Sequence, residues 1–312
     1  MKKTKTVLIL EAGGPCGISC LKIISRLENV RMIAADMSQY ASGLQLADTS
    51  IIIPPANHPD FLSSIETIIT KYSVDLVIPC FEFGFHQLAH KKHPFITDFQ
   101  SAIACKDKLE FYNKCLHLQL PHPKTDLLNK IFTPSFPLYI KPRFGVGSRD
   151  NYVIADAQKL LNLKTFLDDH CDLYIAQELL TGVHWNVDVL VYNNKFITAV
   201  PRKDLVQKSG NCITVEVESY QPLIEFSRLV QTKLQILSPF NLEVFEISPG
   251  KFVINEINVR FGGGIIFSAL AGIDMVSYLI DQNPDRISSL KEGIYSRYYE
   301  EIPINLKIIT QP

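Results

Sequence analysis

The first hundred residues alternate between short apolar runs and segments with helical periodicity, and this alternation constrains the fold more than any other feature. Apolar runs typical of buried strands occupy residues 6–10, 30–36 and 74–80. A glycine-rich turn into a helix follows the first run at residues 11–19, and residues 61–73 have helical periodicity. Strands that alternate with helices form a parallel sheet with helices on its faces. The sequence therefore predicts a doubly wound α/β domain at the start of the chain.

The pattern changes after a proline-rich segment at residues 119–125. Before this segment, an apolar run at residues 101–105 predicts one more strand, and a polar helix is predicted from residue 106 to about 118. Prolines interrupt both helices and sheets, so the segment is the best boundary between two parts of the chain. Beyond it, longer β-rich runs with fewer helices predict an α+β domain.

The composition is that of an ordinary globular protein. Of 312 residues, 46% are hydrophobic and 20% charged, and 31 basic side chains balance 32 acidic ones. No bulk charge therefore favours nucleic acid or a membrane surface as a partner. Seven irregularly spaced cysteines do not indicate a disulfide framework or a zinc site. No apolar stretch approaches the ~20 residues of a spanning helix, and the N-terminal apolar run is too short for a signal peptide. We expect a cytoplasmic protein.

A first glycine cluster, Gly13, Gly14 and Gly17, lies at a strand-to-helix turn, and Asp36 ends the next strand. This arrangement is similar to a dinucleotide-binding turn, in which backbone amides face a pyrophosphate and an acid holds a ribose. The G-x-G-x-x-G spacing is absent, however. We therefore interpret the cluster as a tight turn in a Rossmann-like domain that does not bind NAD, and Cys16 as part of that turn.

A second glycine cluster lies in residues 136–154, which have the pattern of strand, loop and strand. Lys141 ends the first strand, and Gly145 and Gly147 fall in the loop. Glycines let backbone amides approach phosphate oxygens, and the lysine supplies a positive charge. The P-loop motif is missing, so these residues alone leave a phosphate-binding loop and an ordinary β-hairpin equally open.

Polar side chains also end an apolar strand near the C-terminus, at residues 252–260, before three glycines. Because side chains alternate along a strand, strict alternation places Glu256, Asn258 and Arg260 on one face. It places Phe252 and Ile254 on that same face. The opposite face then holds Val253, Asn255, Ile257 and Val259. A carboxylate, an amide and a guanidinium in a row are unexpected on one face of a strand that otherwise has the apolar character of a buried one.

Taken together, these segments resemble the ATP-grasp superfamily over nearly the whole chain. The resemblance lies in SAIACKDKLEFYNKCLHLQLPHPKT, IKPRFGVGS, AQELLTGVH and LEVFEISPGKFVINEINVR, in that order. The N-terminal VLILEAGGPCGISCLKIISRL and VDLVIPCFEFGFHQLA are similar to the domain that precedes ATP-grasp in the carbamoyl-phosphate-synthase-like branch. The resemblance implies α/β and α+β architecture. A Rossmann-like pre-ATP-grasp domain would span residues 1–100, followed by a two-lobed ATP-grasp domain over 101–312, with lobes at about 120–177 and 178–312.

The resemblance also implies which residues form the site. Those expected to bind ATP are Lys106, Lys141, Gly145, Gly147, Ser148, Gln177, Glu178, Leu180 and His184. His184 departs from the family, which usually has glutamate at this ribose-binding position. The expected ligands of Mg²⁺, or alternatively Mn²⁺, are Glu243, Glu256 and Asn258. Arg260 is expected to contact a phosphate or carboxylate, as is Arg202, with Lys203 as the alternative. Glu82 is either a partner of a helix dipole or a substrate contact.

The branch of the superfamily includes many small carboxylate–amine ligases, and this implies the function. We expect the chain to join a carboxylate to an amine through an acylphosphate, releasing ADP and phosphate. Its partners would be ATP and small molecules, without nucleic acid or membrane, and a homodimer is a possible assembly. The alternatives are a non-catalytic ATP-binding subunit, a carboxyphosphate-forming enzyme similar to carbamoyl phosphate synthase, and an NAD-dependent oxidoreductase.

Overall fold

The computed structural model describes residues 4–82, 85–88, 96–131, 134–145, 150–306 and 309–310. The first eight strands are β1 (Lys5–Leu10), β2 (Val30–Asp36), β3 (Thr49–Ile52), β4 (Leu76–Pro79), β5 (Thr125–Leu127), β6 (Leu138–Pro142), β7 (Tyr152–Ile154) and β8 (Tyr174–Glu178). The others are β9 (Val183–Tyr192), β10 (Lys195–Lys208), β11 (Asn211–Val217), β12 (Phe240–Ser248), β13 (Lys251–Asn258), β14 (Gly293–Ser296) and β15 (Ile309–Thr310).

The helices are α1 (Pro15–Ile24), α2 (Phe61–Lys71), α3 (Phe85–Leu88), α4 (Phe99–Lys106), α5 (Lys108–His117), α6 (Ala157–Leu167), α7 (Gln221–Leu234), α8 (Ile265–Leu270) and α9 (Met275–Asp281). None of the helices described is both long enough and apolar enough to span a lipid bilayer.

The first sheet is parallel, with strand order β15-β3-β2-β1-β4. Its strands bury both faces, as strands of parallel sheets do. Leu8 and Leu10 of β1 pack into one core together with α2, whereas Val7 and Ile9 pack into another together with α1. The predicted doubly wound α/β architecture is thereby confirmed. Because β15 pairs with β3, the end of the described chain returns to this first sheet.

Two antiparallel sheets make up the rest of the fold. The four-stranded sheet has the order β5-β8-β6-β7 and packs its apolar face on α6. The six-stranded sheet has the order β13-β12-β9-β10-β11-β14. The core around Trp185 on β9 also includes Leu8 and Leu10, so the six-stranded sheet and the first sheet share a hydrophobic cluster. The change to antiparallel sheets after the proline-rich segment agrees with the predicted α+β architecture.

The strand predicted at residues 101–105 is wrong, because these residues belong to helix α4. The side chain of Asp98 accepts a hydrogen bond from the Ser101 amide and so caps this helix at its N-terminus. The predicted polar helix exists as α5, but Asp107 caps it and moves its start to Lys108. Strand β3 was not predicted.

The predicted faces of β13 are also wrong, because Asn255 forms a β-bulge. Glu243 of β12 lies opposite Glu256, but its neighbour Val244 lies opposite Ile254, so Asn255 is an extra residue. The bulge moves every later side chain to the other face. Ile257 and Val259 therefore join Phe252 and Ile254 in the core, while Glu256, Asn258 and Arg260 face a cavity together with Asn255.

Close packing explains the first glycine cluster without a nucleotide. A Cβ atom on Gly17 would lie 2.6 Å from the Cα atom of Ala12 and 2.7 Å from two backbone carbonyl oxygens. The amide of Gly13 donates a hydrogen bond of 2.8 Å to Asp36 Oδ2. Gly14 is different, since its φ is −78° and a Cβ there would meet its nearest atom at 3.7 Å.

We predict that Gly17→Ala lowers the free energy of unfolding by about 1–3 kcal/mol, because the added methyl overlaps rigid backbone atoms and this outweighs the better helix propensity of alanine. Gly14→Ala is the matched control in the same turn and should cost less, about 0.5 kcal/mol, because its methyl meets no close atom and it affects only the N-cap of α1. Urea unfolding followed by circular dichroism measures both. Equal effects of the two substitutions would contradict this explanation.

Candidate functional site

A cavity of about 870 Å³ lies where the β1–α1 turn, the four-stranded sheet and the six-stranded sheet meet. Its size is typical of a site for a small-molecule ligand. The walls come from parts of the chain that are far apart in sequence: Glu11 and Cys16 from the turn, Lys141 from β6, and Glu243 and Glu256 from β12 and β13. The fold thus brings together most of the charged residues that the sequence singled out.

Two carboxylates face each other at the centre of this cavity. Glu243 and Glu256 occupy directly opposed positions on the antiparallel strands β12 and β13. Burial and the charge of Glu243 raise the pKa of Glu256. Burial also acts on Glu243, but a hydrogen bond with His184 and the charges of His184 and Lys141 outweigh it, so the pKa of Glu243 is lowered.

This pair is suited to hold a divalent cation. Like charges directly opposite each other on neighbouring strands repel, and a cation between them would replace that repulsion with attraction. Asn258 is two residues beyond Glu256 on the same cavity-facing side and offers an amide oxygen. Carboxylate and amide oxygens are the hard ligands that Mg²⁺ and Mn²⁺ accept. The donor set of Glu243, Glu256 and Asn258 therefore fits the expected metal.

Two buried lysines form the wall on the side of the four-stranded sheet. Lys141 is 4% exposed, and its Nζ atom donates a hydrogen bond of 3.1 Å to the Tyr112 hydroxyl. Lys108 is 9% exposed, and its Nζ atom donates one of 2.8 Å to the Gly145 carbonyl. Burial lowers the pKa of Lys108. For Lys141, burial is outweighed by Tyr112 and Glu256, and its pKa is raised. In the described part of the chain, neither lysine has a salt bridge.

Three arginines, Arg202, Arg260 and Arg297, line the end of the cavity beside Gly263 and Gly264, which we call the arginine end. In each of them the Nε atom is buried and has no hydrogen-bond partner among the described residues. A Cβ on Gly264 would lie 2.5 Å from Nη2 of Arg202, so only glycine fits against this guanidinium. Arg297 donates a hydrogen bond of 2.5 Å to the Gly263 carbonyl.

Arg202 is held by a buried acid. Its Nη1 atom lies 3.3 Å from Oδ2 of Asp188, and both side chains are 2% exposed. Asp188 also accepts hydrogen bonds from Ser268 and Asn241, at 2.7 and 3.2 Å. A buried ion pair of this kind needs such extra hydrogen bonds to offset its desolvation. Arg202 is thus fixed in position, whereas Lys203 forms salt bridges with Glu216 and Glu218.

His184 lies in the cavity beside the carboxylate pair. Its Nε2 atom is 3.5 Å from Oε2 of Glu243, and its ring packs on Phe245 with the ring centroids 4.9 Å apart. Burial disfavours the charged imidazole, but the hydrogen bond and charge of Glu243 prevail, and the pKa of His184 is raised. The structure therefore places His184 next to an expected metal ligand.

Several residues expected at the site do not line the cavity: Lys106, Gln177, Glu178, Leu180 and Glu82. Gln177 is buried and donates a hydrogen bond of 2.8 Å to Thr125, and Glu178 accepts one of 3.1 Å from the Lys124 amide. Glu82 acts on Lys108 and Glu256 through its charge. Gly145 does line the cavity. Gly147 and Ser148 lie outside the described residues.

Four charged residues that line the cavity were not predicted from the sequence: Glu11, Lys108, Asp204 and Arg297. Only Lys108 had a usable signal. Asp107 is a good N-cap residue, so the next lysine begins the first turn of α5. That position brings its side chain to Gly145, while Lys106 ends the preceding helix.

A cluster of thiols lies behind the β1–α1 turn. The sulfur atoms of Cys16, Cys20 and Cys80 lie within 4.8 Å of one another, and all three residues are buried. Cys16 and Cys80 also line the cavity. The Cys16 thiol donates a hydrogen bond of 3.2 Å to the carbonyl of Phe261, which follows Arg260. The turn is thereby attached to the arginine end.

Comparison with protein families confirms the predicted resemblance. Residues 170–301 match the family described as ATP-grasp in the biosynthetic pathway with Ter operon. Residues 7–98 match the PylC-like N-terminal domain. Two family models thus match successive parts of the chain, a PylC-like N-terminal domain and, after it, an ATP-grasp family. A comparison with curated proteins finds no match.

Solved structures of ATP-grasp enzymes share the fold. N5-carboxyaminoimidazole synthetase from Staphylococcus aureus, complexed with ADP, is 16% identical with a TM-score of 0.73, covering 95% of this chain and 81% of its own. An L-amino acid ligase from Bacillus licheniformis is 14% identical with a TM-score of 0.68, covering 93% and 76%. Biotin carboxylase from Campylobacter jejuni is 17% identical with a TM-score of 0.68, covering 92% and 72%.

We predict that Lys108, and not Lys106, contributes to nucleotide affinity. Lys108→Met keeps the apolar stem and removes the charge, so the dissociation constant of ADP should rise about 10- to 100-fold, equivalent to losing one charge-assisted hydrogen bond. Lys106→Met is the matched control and should bind ADP as the wild type does. Isothermal titration calorimetry measures both. A larger loss of affinity in the Lys106 variant would restore the original expectation.

Proposed function

We propose that the protein is an ATP-dependent ligase that joins a carboxylate to an amine through an acylphosphate and releases ADP and phosphate. The observation that carries this proposal is the pairing of two buried lysines with two opposed carboxylates across one cavity. We further propose that residues 1–100 form the pre-ATP-grasp domain and residues 101–312 the ATP-grasp domain, with lobes at about 120–177 and 178–312.

The buried lysines support ATP as the ligand. Lys108 and Lys141 are cations removed from water, and no carboxylate in the described ranges forms a salt bridge with either. A buried charge without a partner is strongly unfavourable. The phosphates of ATP would supply the missing anions. Gly145, whose carbonyl accepts the hydrogen bond of Lys108, would lie beside them. Gly147, Ser148, Gln177, Glu178, Leu180 and His184 remain predicted contacts of the nucleotide.

The carboxylates would hold the metal that accompanies ATP. Glu243, Glu256 and Asn258 would bind Mg²⁺ or Mn²⁺, which would neutralise charge on the β- and γ-phosphates. Lys108 and Lys141 would orient the nucleotide from the opposite wall. The described residues of the site would thus position the γ-phosphate rather than react with it, as is usual in phosphoryl transfer.

The reaction would proceed in two steps. An oxygen of the substrate carboxylate attacks the γ-phosphorus of ATP, the bond to the ADP oxygen breaks, and an acylphosphate forms. The amine nitrogen then attacks the acyl carbon, the carbon–oxygen bond to phosphate breaks, and the nitrogen loses a proton to leave an amide. Arg260 follows Asn258 at the end of the metal-binding strand, so it would stabilise charge on the transferred phosphoryl group. Arg202 would support it from the buried position beside Asp188.

Glu256→Gln tests the metal site. This substitution keeps the shape of the side chain and removes its charge, and turnover should fall at least ~100-fold, as for the loss of one strong electrostatic stabiliser. The melting temperature should stay near that of the wild type. Glu225→Gln, on the exposed side of α7, is the matched control and should retain full turnover. Near-normal phosphate release from the Glu256 variant would contradict the assignment.

The products distinguish this ligase from its alternatives. Acid and amine pairs, screened by phosphate release, should yield ADP and not AMP. With ¹⁸O in the carboxylate of the acid, one labelled oxygen should appear in phosphate, because the acylphosphate carries it there. AMP and pyrophosphate would indicate adenylation instead. ADP without transfer of label would indicate a carboxyphosphate route from bicarbonate, and nucleotide binding without turnover would indicate a non-catalytic subunit.

A further inference from the structure

The end of the cavity formed by the first sheet is acidic, in contrast to the arginine end. Glu11, at the end of β1, and Asp36, at the end of β2, both line it. Glu11 has a φ of 55°, in the left-handed region that few residues other than glycine adopt. Strained backbone of this kind occurs where a side chain must be held in a particular place, and it concentrates at functional sites.

The carboxyl group of Glu11 lacks a partner that would match its charge. Its Oε2 atom is buried and has no hydrogen-bond partner among the described residues. Burial raises the pKa of Glu11 to about 8, with help from Asp36 and Cys16, while the backbone amides of Cys80 and Phe81 oppose the shift. Both oxygens of the neighbouring Asp36 accept hydrogen bonds from backbone amides, those of Gly13 and Ser38.

The acidic end adjoins the place where the acyl group would react. A Cβ on Gly263 would lie 3.2 Å from Pro15, and the Cys16 thiol is bonded to the carbonyl of Phe261. The turn that begins after Glu11 therefore packs against the segment that follows Arg260. A substrate bound between Glu11 and Arg260 would place a cationic group near Glu11 and Asp36. The same group would face the acylphosphate.

We propose that Glu11 binds the ammonium group of the amine substrate and then removes its proton. This inference rests on the proposed ligase function. An ammonium ion has no lone pair and cannot attack an acyl carbon, so it must first lose a proton. The second substrate would accordingly be a primary amine that is protonated in solution, such as an amino acid.

The step balances without another reactant. One N–H bond of the ammonium group breaks and its proton moves to a carboxylate oxygen of Glu11, leaving a neutral amine. The nitrogen lone pair forms the bond to the acyl carbon, and phosphate leaves with the electron pair of the broken carbon–oxygen bond. The nitrogen is now positively charged and loses its second proton to the departing phosphate, which leaves a neutral amide. Glu11 then returns its proton to solvent. The raised pKa of Glu11 lies closer to the pKa of an ammonium group than that of an ordinary carboxylate does, so transfer of the proton is less unfavourable. Among the described residues, Asp36 and Cys16 are the titratable side chains whose charges act on it.

Hydroxylamine provides the decisive comparison, because it is largely unprotonated at neutral pH and needs no base. An acid and amine pair would first be found among amino acids by phosphate release. Glu11→Gln should then lower kcat/KM for amide formation at pH 7 at least ~100-fold, within the usual range for loss of a general base. It should form the hydroxamate from the same acid at close to the wild-type rate. Amide formation by this variant should recover as the pH rises and the amine loses its proton.

The other outcomes are equally informative. Glu28→Gln, an exposed control, should keep both activities. Wild-type rates of amide formation by Glu11→Gln would overturn the inference, as would equal loss of both products, which would mean a structural role. A wild-type enzyme that forms no hydroxamate with any acid would refute the ligase itself.

A second measurement needs no acid substrate. Infrared difference spectra at pH 7, with Glu11→Gln as the reference, report whether the carboxyl group of Glu11 is protonated. Adding methylammonium chloride should convert it to the carboxylate in the wild type, and sodium chloride should not. An unchanged spectrum with methylammonium would overturn ammonium binding at Glu11, whatever the ligase assays show.

Discussion

The site depends on the extra residue Asn255 in β13 and on the tyrosine that contacts it. The Tyr112 hydroxyl donates a hydrogen bond to the Asn255 carbonyl and accepts one from Lys141. Without the bulge, Glu256 would share a face with Ile254 and would be buried in the hydrophobic core. With it, one strand keeps its apolar side chains in the core on both sides of Asn255 and directs its polar ones into the cavity. Helix α5, which carries Tyr112, thereby links the bulge to the lysine wall.

The two lysines of the cavity are kept out of salt bridges with its two opposed carboxylates, and this follows from what each wall must hold. Opposed carboxylates at Glu243 and Glu256 are unfavourable alone, as are buried lysines at Lys108 and Lys141. In the described part of the chain, the lysines form no salt bridges with the carboxylates, which would neutralise the charges of the site. The carboxylates would instead attract a bound cation, and the lysines would attract a bound anion. Preorganised charges of this kind need little rearrangement when the ligand arrives.

Sequence patterns predicted the helices and strands whose periodicity is regular. They failed where a single capping residue or a single inserted residue determines the local structure. Three of the four N-terminal strands were predicted, because an apolar run buried on both faces is a strong signal. Residues 101–105 have equally apolar character, but the Asp98 cap makes them helical. A bulge leaves no mark in the hydrophobic pattern, so alternation placed Glu256 on the same face as Ile254, which lies in the core. Lys106 and Lys108 differ only in their position relative to the Asp107 cap.

The β1–α1 turn shows how a dinucleotide-binding arrangement can be put to another use. In such a turn the acid after the second strand is available to a ribose, but here Asp36 is occupied by the amides of Gly13 and Ser38. Gly17 serves close packing against Ala12 rather than a pyrophosphate. What the turn presents to the cavity instead is Glu11, held in a left-handed conformation. The same strand-to-helix geometry thus delivers a carboxyl group, and an acid beside Asp36 and the Cys16 thiol is suited to a cation rather than to a phosphate.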